Sequence, residues 1–575
     1  MVVASSRKQR SPARRGLIPV AVIAATAATG IVLLLVPTGL AVQEQRAQRY
    51  MAAWSRADYP AMYAELTDAA RRARSLGAFE DDHRRAAATA TATAFRAVSV
   101  SASKDDVVDV SMTVATLAFG TVRASLRLPF EGEDDEARIA WSRHLVFPGV
   151  ARGQRLDRST RLARRADILA RDGTPLAQGK ERSSQLGRVA DAIAGSLDAP
   201  PPERVASLRA RGIPDDAKVG VTGLERIFDE QLAGRPGGTL RAGTRVLASS
   251  TPRASPALRT SIDPQVQRAA VEALGAQSGG VAVLRPRSGE ILGLAGLAFS
   301  GLQPPGSTFK MITLAGALEA RIAGPNSKYP VQTEATLEGV EIENANGESC
   351  GGSLRLSFAH SCNSVFAPLG ARLGAERLVE AAEAFGFNQD LGIPGAATSM
   401  IPRAGEIGDR LAVGSSAIGQ GRVQATALMM GWVAATIADG GVRTPLTLRA
   451  GVRSTPKRVL RASTARLVGR YMEAVVQVGT GTAAAISGVR VAGKTGTAEL
   501  KSTTGPDCTP SEEMPVCPPA QPDDPTDTDA WFAAYAPASR PRIAVGVLLV
   551  ANGTGGETAA PLARQVLLAG LKATR

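Results

Sequence analysis

The sequence predicts a multidomain α+β protein, and three observations carry that reading. A chain of 575 residues that is 44% hydrophobic has material for several packed cores. From Val42 to about Thr89, apolar residues such as Tyr50, Met51, Trp54, Tyr59, Met62, Tyr63 and Leu66 recur at helical spacing. Four runs with strand character follow at 94–102, 107–118, 121–130 and 137–147, parted by Lys104-Asp105-Asp106, Gly120 and Gly132-Glu133-Asp134-Asp135. Helices followed by antiparallel strands make one α+β unit, expected over residues 42–150. Its histidines, His83 and His144, have no clustered polar partner in sequence and read as surface residues.

Ahead of that unit, residues 1–15 carry Arg7, Lys8, Arg10, Arg14 and Arg15 without an acid, and residues 16–36 carry no charge. Helical rise is about 1.5 Å per residue, so such a run spans a hydrocarbon core of about 30 Å. The basic flank is expected to stay cytoplasmic. The expectation is a single-pass cell-membrane anchor at 16–36, a cytoplasmic tail at 1–15, and an extracytoplasmic remainder. A cleaved leader ending at Gly39-Leu40-Ala41 is the alternative. Four cysteines in an exported chain suggest bridges, and local pairing of Cys350 with Cys362 and Cys508 with Cys517 is the simplest connectivity. Free buried thiols are the other reading.

The net charge is +14, from 67 basic and 53 acidic residues, which suits an anionic membrane or cell-wall polymer. Only 4% of residues are aromatic and no basic cluster is interleaved with them, so nucleic acid is not an expected partner. No ligand cluster suggests a metal or other cofactor.

After residue 256 the chain reads as one helix-flanked antiparallel sheet. Asp263 and Pro264 mark an N-cap and a first helical position. Strands are expected at 279–286, 290–296, 531–537 and 542–551, helices at 425–439 and 560–571, and a short run at 442–449. Residues 501–529 hold seven acids, one lysine and seven prolines and read as an extended surface loop.

Chemistry concentrates in three places within this region. In Pro304-Pro305-Gly306-Ser307-Thr308-Phe309-Lys310 the prolines and glycine end extended backbone and start a helix at the serine. Three residues is almost one turn, so Ser307 and Lys310 share a face and can touch, with the serine at the helix's positive end. A neutral lysine can take a serine's proton, and burial beside a second cation favours that neutral form. Ser361-Cys362-Asn363 follows in an apolar helical context, and Lys494-Thr495-Gly496-Thr497 follows a strand-like run. A Ser-His-Asp arrangement finds little support, because only His360 lies near a motif and no aspartate adjoins it in sequence.

Ser-x-x-Lys, Ser-x-Asn and Lys-Thr-Gly in this order make the chain resemble a class B penicillin-binding protein. The unit at 42–150 resembles the NTF2-like domain of the methicillin-resistance branch. Residues 151–255 resemble the linker or dimerisation region, through Asp172-Gly173-Thr174-Pro175-Leu176-Ala177 and the run 223–234. Ala170 stands where that family usually has aspartate. The charged runs of this linker can also be solvated faces. Residues 256–575 would be the penicillin-binding transpeptidase domain.

The resemblance implies a peptidoglycan D,D-transpeptidase that forms a serine acyl-enzyme with D-Ala-D-Ala stem peptides and is acylated by β-lactams. It makes Ser307 the nucleophile, Lys310 the general base, Ser361 a proton relay, and Asn363 a support for Lys310 or the substrate amide. Lys494 would add positive field, while Thr495, Gly496 and Thr497 would bind the substrate carboxylate. Backbone amides of Ser307 and Thr497 would form the oxyanion hole. Cell-wall synthesis or division proteins are the partners it suggests. A D,D-carboxypeptidase or β-lactamase-like hydrolase, and a non-turnover β-lactam sensor, are the alternatives.

Overall fold

The structure is a computed structural model that describes residues 42–102, 106–499 and 528–574. The basic tail, the expected anchor at 16–36, and Cys508 and Cys517 lie outside the described residues. Among those described, no helix is long and apolar enough to cross a membrane.

The N-terminal unit is a set of helices over a four-stranded antiparallel sheet of Ala92–Ala102, Val107–Thr116, Gly120–Glu131 and Arg138–Ile139. The helical stretch is broken into Val42–Ser55, Tyr59–Ala64, Asp68–Ala73 and Leu76–Ala90. Each break has a local cause: Asp58, Thr67 and Ser75 accept hydrogen bonds from Ala61, Ala70 and Ala78 amides, so three side chains each restart a helix. The strand expected at 137–147 is only Arg138–Ile139, followed by a 3-10 turn at Arg143–Val146. Arg143 pairs with Asp82 at 3.1 Å and the Trp141 ring stacks on His83, which draws the segment off the sheet and onto the last helix.

His83 also departs from expectation. It is 2% exposed, ringed by Trp54, Tyr59, Phe79 and Trp141, and its Nδ1 lies 2.9 Å from the Phe79 carbonyl. The helix Leu76–Ala90 turns this ring inward with its apolar residues, because a neutral imidazole packs as an aromatic ring once one nitrogen is paired. His144 is half-buried, with Nδ1 2.8 Å from the Ser142 hydroxyl.

The middle region joins the N-terminal unit through one shared apolar cluster, in which Leu240 and Ala242 pack with Ala86, Ala90, Val114, Phe119 and Phe147. A three-stranded sheet, Leu156–Arg161, Gly237–Ala242 and Arg245–Ser250, carries the middle region's side of this contact. Of the three acids in the run 223–234, Glu230 is exposed but the other two are not part of a solvated face. Glu225 and Asp229 are 1% and 3% exposed, and they bind Arg165, Arg182 and Arg204 at 2.6–2.8 Å. Buried carboxylates require such partners, so this charge pattern is a structural clamp.

The C-terminal region is built on a five-stranded antiparallel sheet in the order Ile291–Gly296, Gly279–Leu284, Ile543–Leu549, Thr528–Ala536, Ala492–Glu499. Helices cover both faces, so the strands read as continuous apolar runs whose alternate residues serve different cores. Trp531, Ala533 and Tyr535 face the larger core, whereas Ala530, Phe532, Ala534 and Ala536 face the smaller one, with the helices Pro264–Leu274 and Ala560–Ala573. On the other face, the helix Ala427–Ala438 lies directly on the central strand. A Cβ on Gly546 would sit 2.0 Å from the Ala427 carbonyl, so that approach requires glycine. Asp263 caps the first helix through the Gln265 and Val266 amides, with Pro264 in the first turn. The run expected at 442–449 is a strand only at Val442–Arg443.

Candidate active site

The serine turn is held against the outer strand Ala492–Glu499. Gly306 has φ +49°, and a Cβ there would lie 2.5 Å from the Thr497 carbonyl. Its amide donates to the Gly419 carbonyl at 3.0 Å. The chain then makes a 3-10 turn at Gly306–Phe309 and enters the helix Lys310–Glu319. Within this turn Thr308 and Phe309 are fully buried, while Ser307 is half-exposed at the positive helix end.

Ser307 and Lys310 are not hydrogen-bonded to each other. Lys310 Nζ donates to the Ser361 carbonyl at 2.6 Å, to Asn363 Oδ1 at 2.6 Å and to Ser361 Oγ at 3.3 Å. Sequence spacing placed the lysine on the serine's side of the helix, and tertiary acceptors then decided where its amine points. Lys310 is fully buried, and that burial, with the charge of Lys494 as the second cause, holds its pKa well below the ordinary lysine range.

Ser361 and Asn363 come from the turn between helices Leu354–Ala359 and Asn363–Leu373. Ser361 has φ +62°, a conformation that costs a non-glycine residue roughly 1 kcal/mol or more. That turn aims both its carbonyl and its hydroxyl at Lys310. Asn363 spends its other amide atom on the Glu343 carbonyl at 2.8 Å, so its oxygen is fixed toward the lysine.

Lys494 reaches the same serine from the strand side. Its Nζ donates to Ser361 Oγ at 2.9 Å and to the Thr495 carbonyl at 3.0 Å. Burial pushes its pKa down to about 7. Ser361 Oγ therefore lies between two buried amines. Gly496 lets the serine turn close, since a Cβ there would meet the Pro305 carbonyl at 2.7 Å. Thr497 is half-exposed, and its Oγ1 accepts from the Gly555 amide at 3.4 Å. The strand is the sheet's outer member, so alternate backbone groups have no sheet neighbour.

Cys350 and Cys362 are joined by a disulfide next to Ser361, the local pairing that the sequence suggested. Other positions that brace this cluster were not legible in sequence. Asn344 is 3% exposed; its amide nitrogen donates to the Gln332 and Glu348 carbonyls, and its oxygen accepts from the Ser364 amide. His360 pairs with Glu348 at 3.1 Å, a partner twelve residues away that no local spacing would reveal. Thr480 sits after the helix Ala462–Val478, with Oγ1 2.5 Å from Thr495 Oγ1. A Gly-Thr-Gly stop at a helix end was the only available signal for it. A cavity of about 660 Å³ between the 116–120 turn and the linker sheet, lined by Arg161, Arg235 and Arg253, contains none of the motif residues.

Comparison with known proteins agrees with this geometry. Residues 279–568 match the family described as penicillin binding protein transpeptidase domain, and residues 43–154 match the NTF2-like N-terminal transpeptidase domain. The peptidoglycan D,D-transpeptidase PbpA of Mycolicibacterium smegmatis is 33% identical over 423 residues, covering 61% of this chain and 80% of that protein. The protein of the same name from Mycobacterium tuberculosis is 35% identical over 357 residues, or 56% of this chain and 64% of that one. The crystal structure of PBPA from M. tuberculosis aligns with TM-score 0.54 at 27% identity, over 71% of this chain and 99% of that chain. Its penicillin G acyl-enzyme complex aligns with TM-score 0.54 at 26% identity, over 71% of this chain and 99% of that chain. The chain therefore belongs to the penicillin-binding protein transpeptidase family, with an NTF2-like domain ahead of its transpeptidase domain.

Proposed function

We propose that this chain is a peptidoglycan D,D-transpeptidase that works through an ester on Ser307. The observation that carries the reading is the pair of buried amines, Lys310 and Lys494, meeting on Ser361 Oγ beside a half-exposed serine at a helix N-terminus. Its family and its PbpA relatives support the same activity.

In acylation, Ser307 Oγ attacks the carbonyl between the last two D-alanines of a stem peptide while its proton passes to neutral Lys310. To reach that proton Lys310 leaves its resting contacts with Ser361, since catalytic hydrogen bonds often form only with substrate bound. The C–N bond breaks, and the leaving D-alanine amine takes a proton through Ser361, which Lys494 keeps polarised. Asn363 holds Lys310 in place. In the second half, the amine of another stem attacks the ester, forming the cross-link and returning the proton to Ser307. Backbone amides of Ser307 and Thr497 serve the oxyanion, where one donor is typically worth about 10²–10³ in rate. Thr495 and Thr497, with the Lys494 charge, receive the substrate's terminal carboxylate. A β-lactam follows the first half and stalls at the ester.

The N-terminal unit and linker act as a spacer, and residues 16–36 anchor the chain with the catalytic domain outside the cell membrane. The uncharged run and its basic flank support this topology. Cell-wall synthesis or division proteins are the partners such a placement favours. The test is labelled penicillin on full-length protein in detergent, with Ser307→Ala beside it. A covalent adduct on the wild type alone is expected; no adduct, or an equal one on the variant, refutes the assignment.

A further inference from the structure

Thr480 lies outside the three motifs, yet it touches two of the pieces that carry them. Its amide donates to the Ala359 carbonyl at 3.1 Å, two residues before Ser361. Its hydroxyl lies 2.5 Å from the Thr495 hydroxyl and 3.4 Å from the Ala359 carbonyl. Gly479 makes this approach possible, because a Cβ there would sit 2.2 Å from the Ala359 carbonyl.

Either hydroxyl can donate across the 2.5 Å contact, and Thr480 can also donate to the Ala359 carbonyl at 3.4 Å. Thr480 has one hydroxyl proton, and the much shorter contact is with Thr495. Thr495 Oγ1 also lies 3.5 Å from Lys494 Nζ, which donates to it when protonated. With Thr480 and Lys494 both donating, Thr495 Oγ1 is filled as an acceptor. Its own proton then points away from both, as a donor beside a buried cation. That combination suits a carboxylate.

We propose that Thr480 is a positioning residue that turns the Thr495 hydroxyl proton toward the carboxylate of the incoming stem peptide or β-lactam. The inference rests on the transpeptidase reading above and adds a residue to its carboxylate site. Without the Thr480 hydroxyl, nothing on that side fixes the Thr495 proton and the carboxylate loses one oriented donor.

The test compares penicillin G with its methyl ester, which has the same ring but no carboxylate charge. Second-order acylation rates of Ser307 are measured on full-length protein in detergent for wild type, Thr480→Val and Thr480→Ser. Thr480→Val is expected to slow penicillin G about tenfold while changing the ester less than about twofold. Thr480→Ser, which keeps the hydroxyl, is expected to restore most of the acid rate. The acid-to-ester ratio does not depend on how much protein is folded, so a destabilised variant still reports. An acid-to-ester ratio equal to wild type in Thr480→Val overturns the proposal, whether both rates fall or neither does. A wild type acylated by neither compound overturns the transpeptidase reading itself.

Discussion

Replacing Lys494 with glutamine removes a charge while keeping a donor for Ser361, and so isolates what the second amine does to the first. Lys494 Nζ and Lys310 Nζ lie 2.9 and 3.3 Å from the same oxygen, which puts them no more than 6.2 Å apart, 2.9 plus 3.3. Two like charges at about 6 Å repel by about 3 kcal/mol at an effective dielectric of about 20. That repulsion favours the neutral Lys310 needed as base. It operates where Lys494 is charged, below its pKa of about 7. Lys494→Gln should therefore move the acid limb of the acylation profile to higher pH by up to about two units, since about 1.4 kcal/mol is one unit. Burial alone still depresses Lys310 in the variant, so some activity returns at alkaline pH. The assay is the second-order rate of Ser307 acylation by a fluorescent penicillin between pH 5 and 10. A profile that falls evenly at every pH, with its acid limb unmoved, refutes the field argument and leaves Lys494 only as a binding group.

Two other perturbations probe the frame around the site. Reducing the Cys350–Cys362 bridge opens a loop of sequence separation 12, a constraint worth about 3 kcal/mol on the unfolded chain. Acylation should slow several-fold as Ser361 loosens, without being abolished; a rate unchanged by a dithiol reductant, with the thiols counted as free, disproves that. In the N-terminal domain, burial pushes His83 down to about 4 from an ordinary value near 6.5, with the Phe79 carbonyl and Asp82 opposing. The unfolded chain binds the extra proton between those values, so this contribution is complete above about pH 6.5 and is lost as pH falls toward 4. The loss is at most about 3 kcal/mol. Thermal melts of wild type and His83→Phe should diverge in slope across that window, and parallel curves would show that His83 is not what titrates.

Much of this was legible in the chain itself. Asp263-Pro264 reads as a helix start because capping is chemistry between neighbours, and the structure places the cap there. Strands buried on both faces announce themselves as apolar runs, as at Thr528–Ala536. Local grammar failed where a segment's fate was set by something distant. The stretch 137–147 has strand-like alternation, yet Asp82 and His83 pull it away. Glu225 and Asp229 look like surface acids until three arginines close over them.

The same division runs through the candidate site. Sequence alone pointed to the family and singled out Ser307, Lys310, Ser361, Asn363 and Lys494, because those residues stand in short motifs with characteristic spacing. It also placed Ser307 at a helix start, a property of Pro-Pro-Gly backbone. Tertiary structure decided where each amine points. Lys310 leaves the serine one turn away for acceptors 51 and 53 residues on, and Lys494 arrives at Ser361 across a separation of 133. Hydrogen bonds are directional and short, so a buried ammonium goes to whichever acceptors packing brings within 3 Å. Only the folded chain specifies which those are.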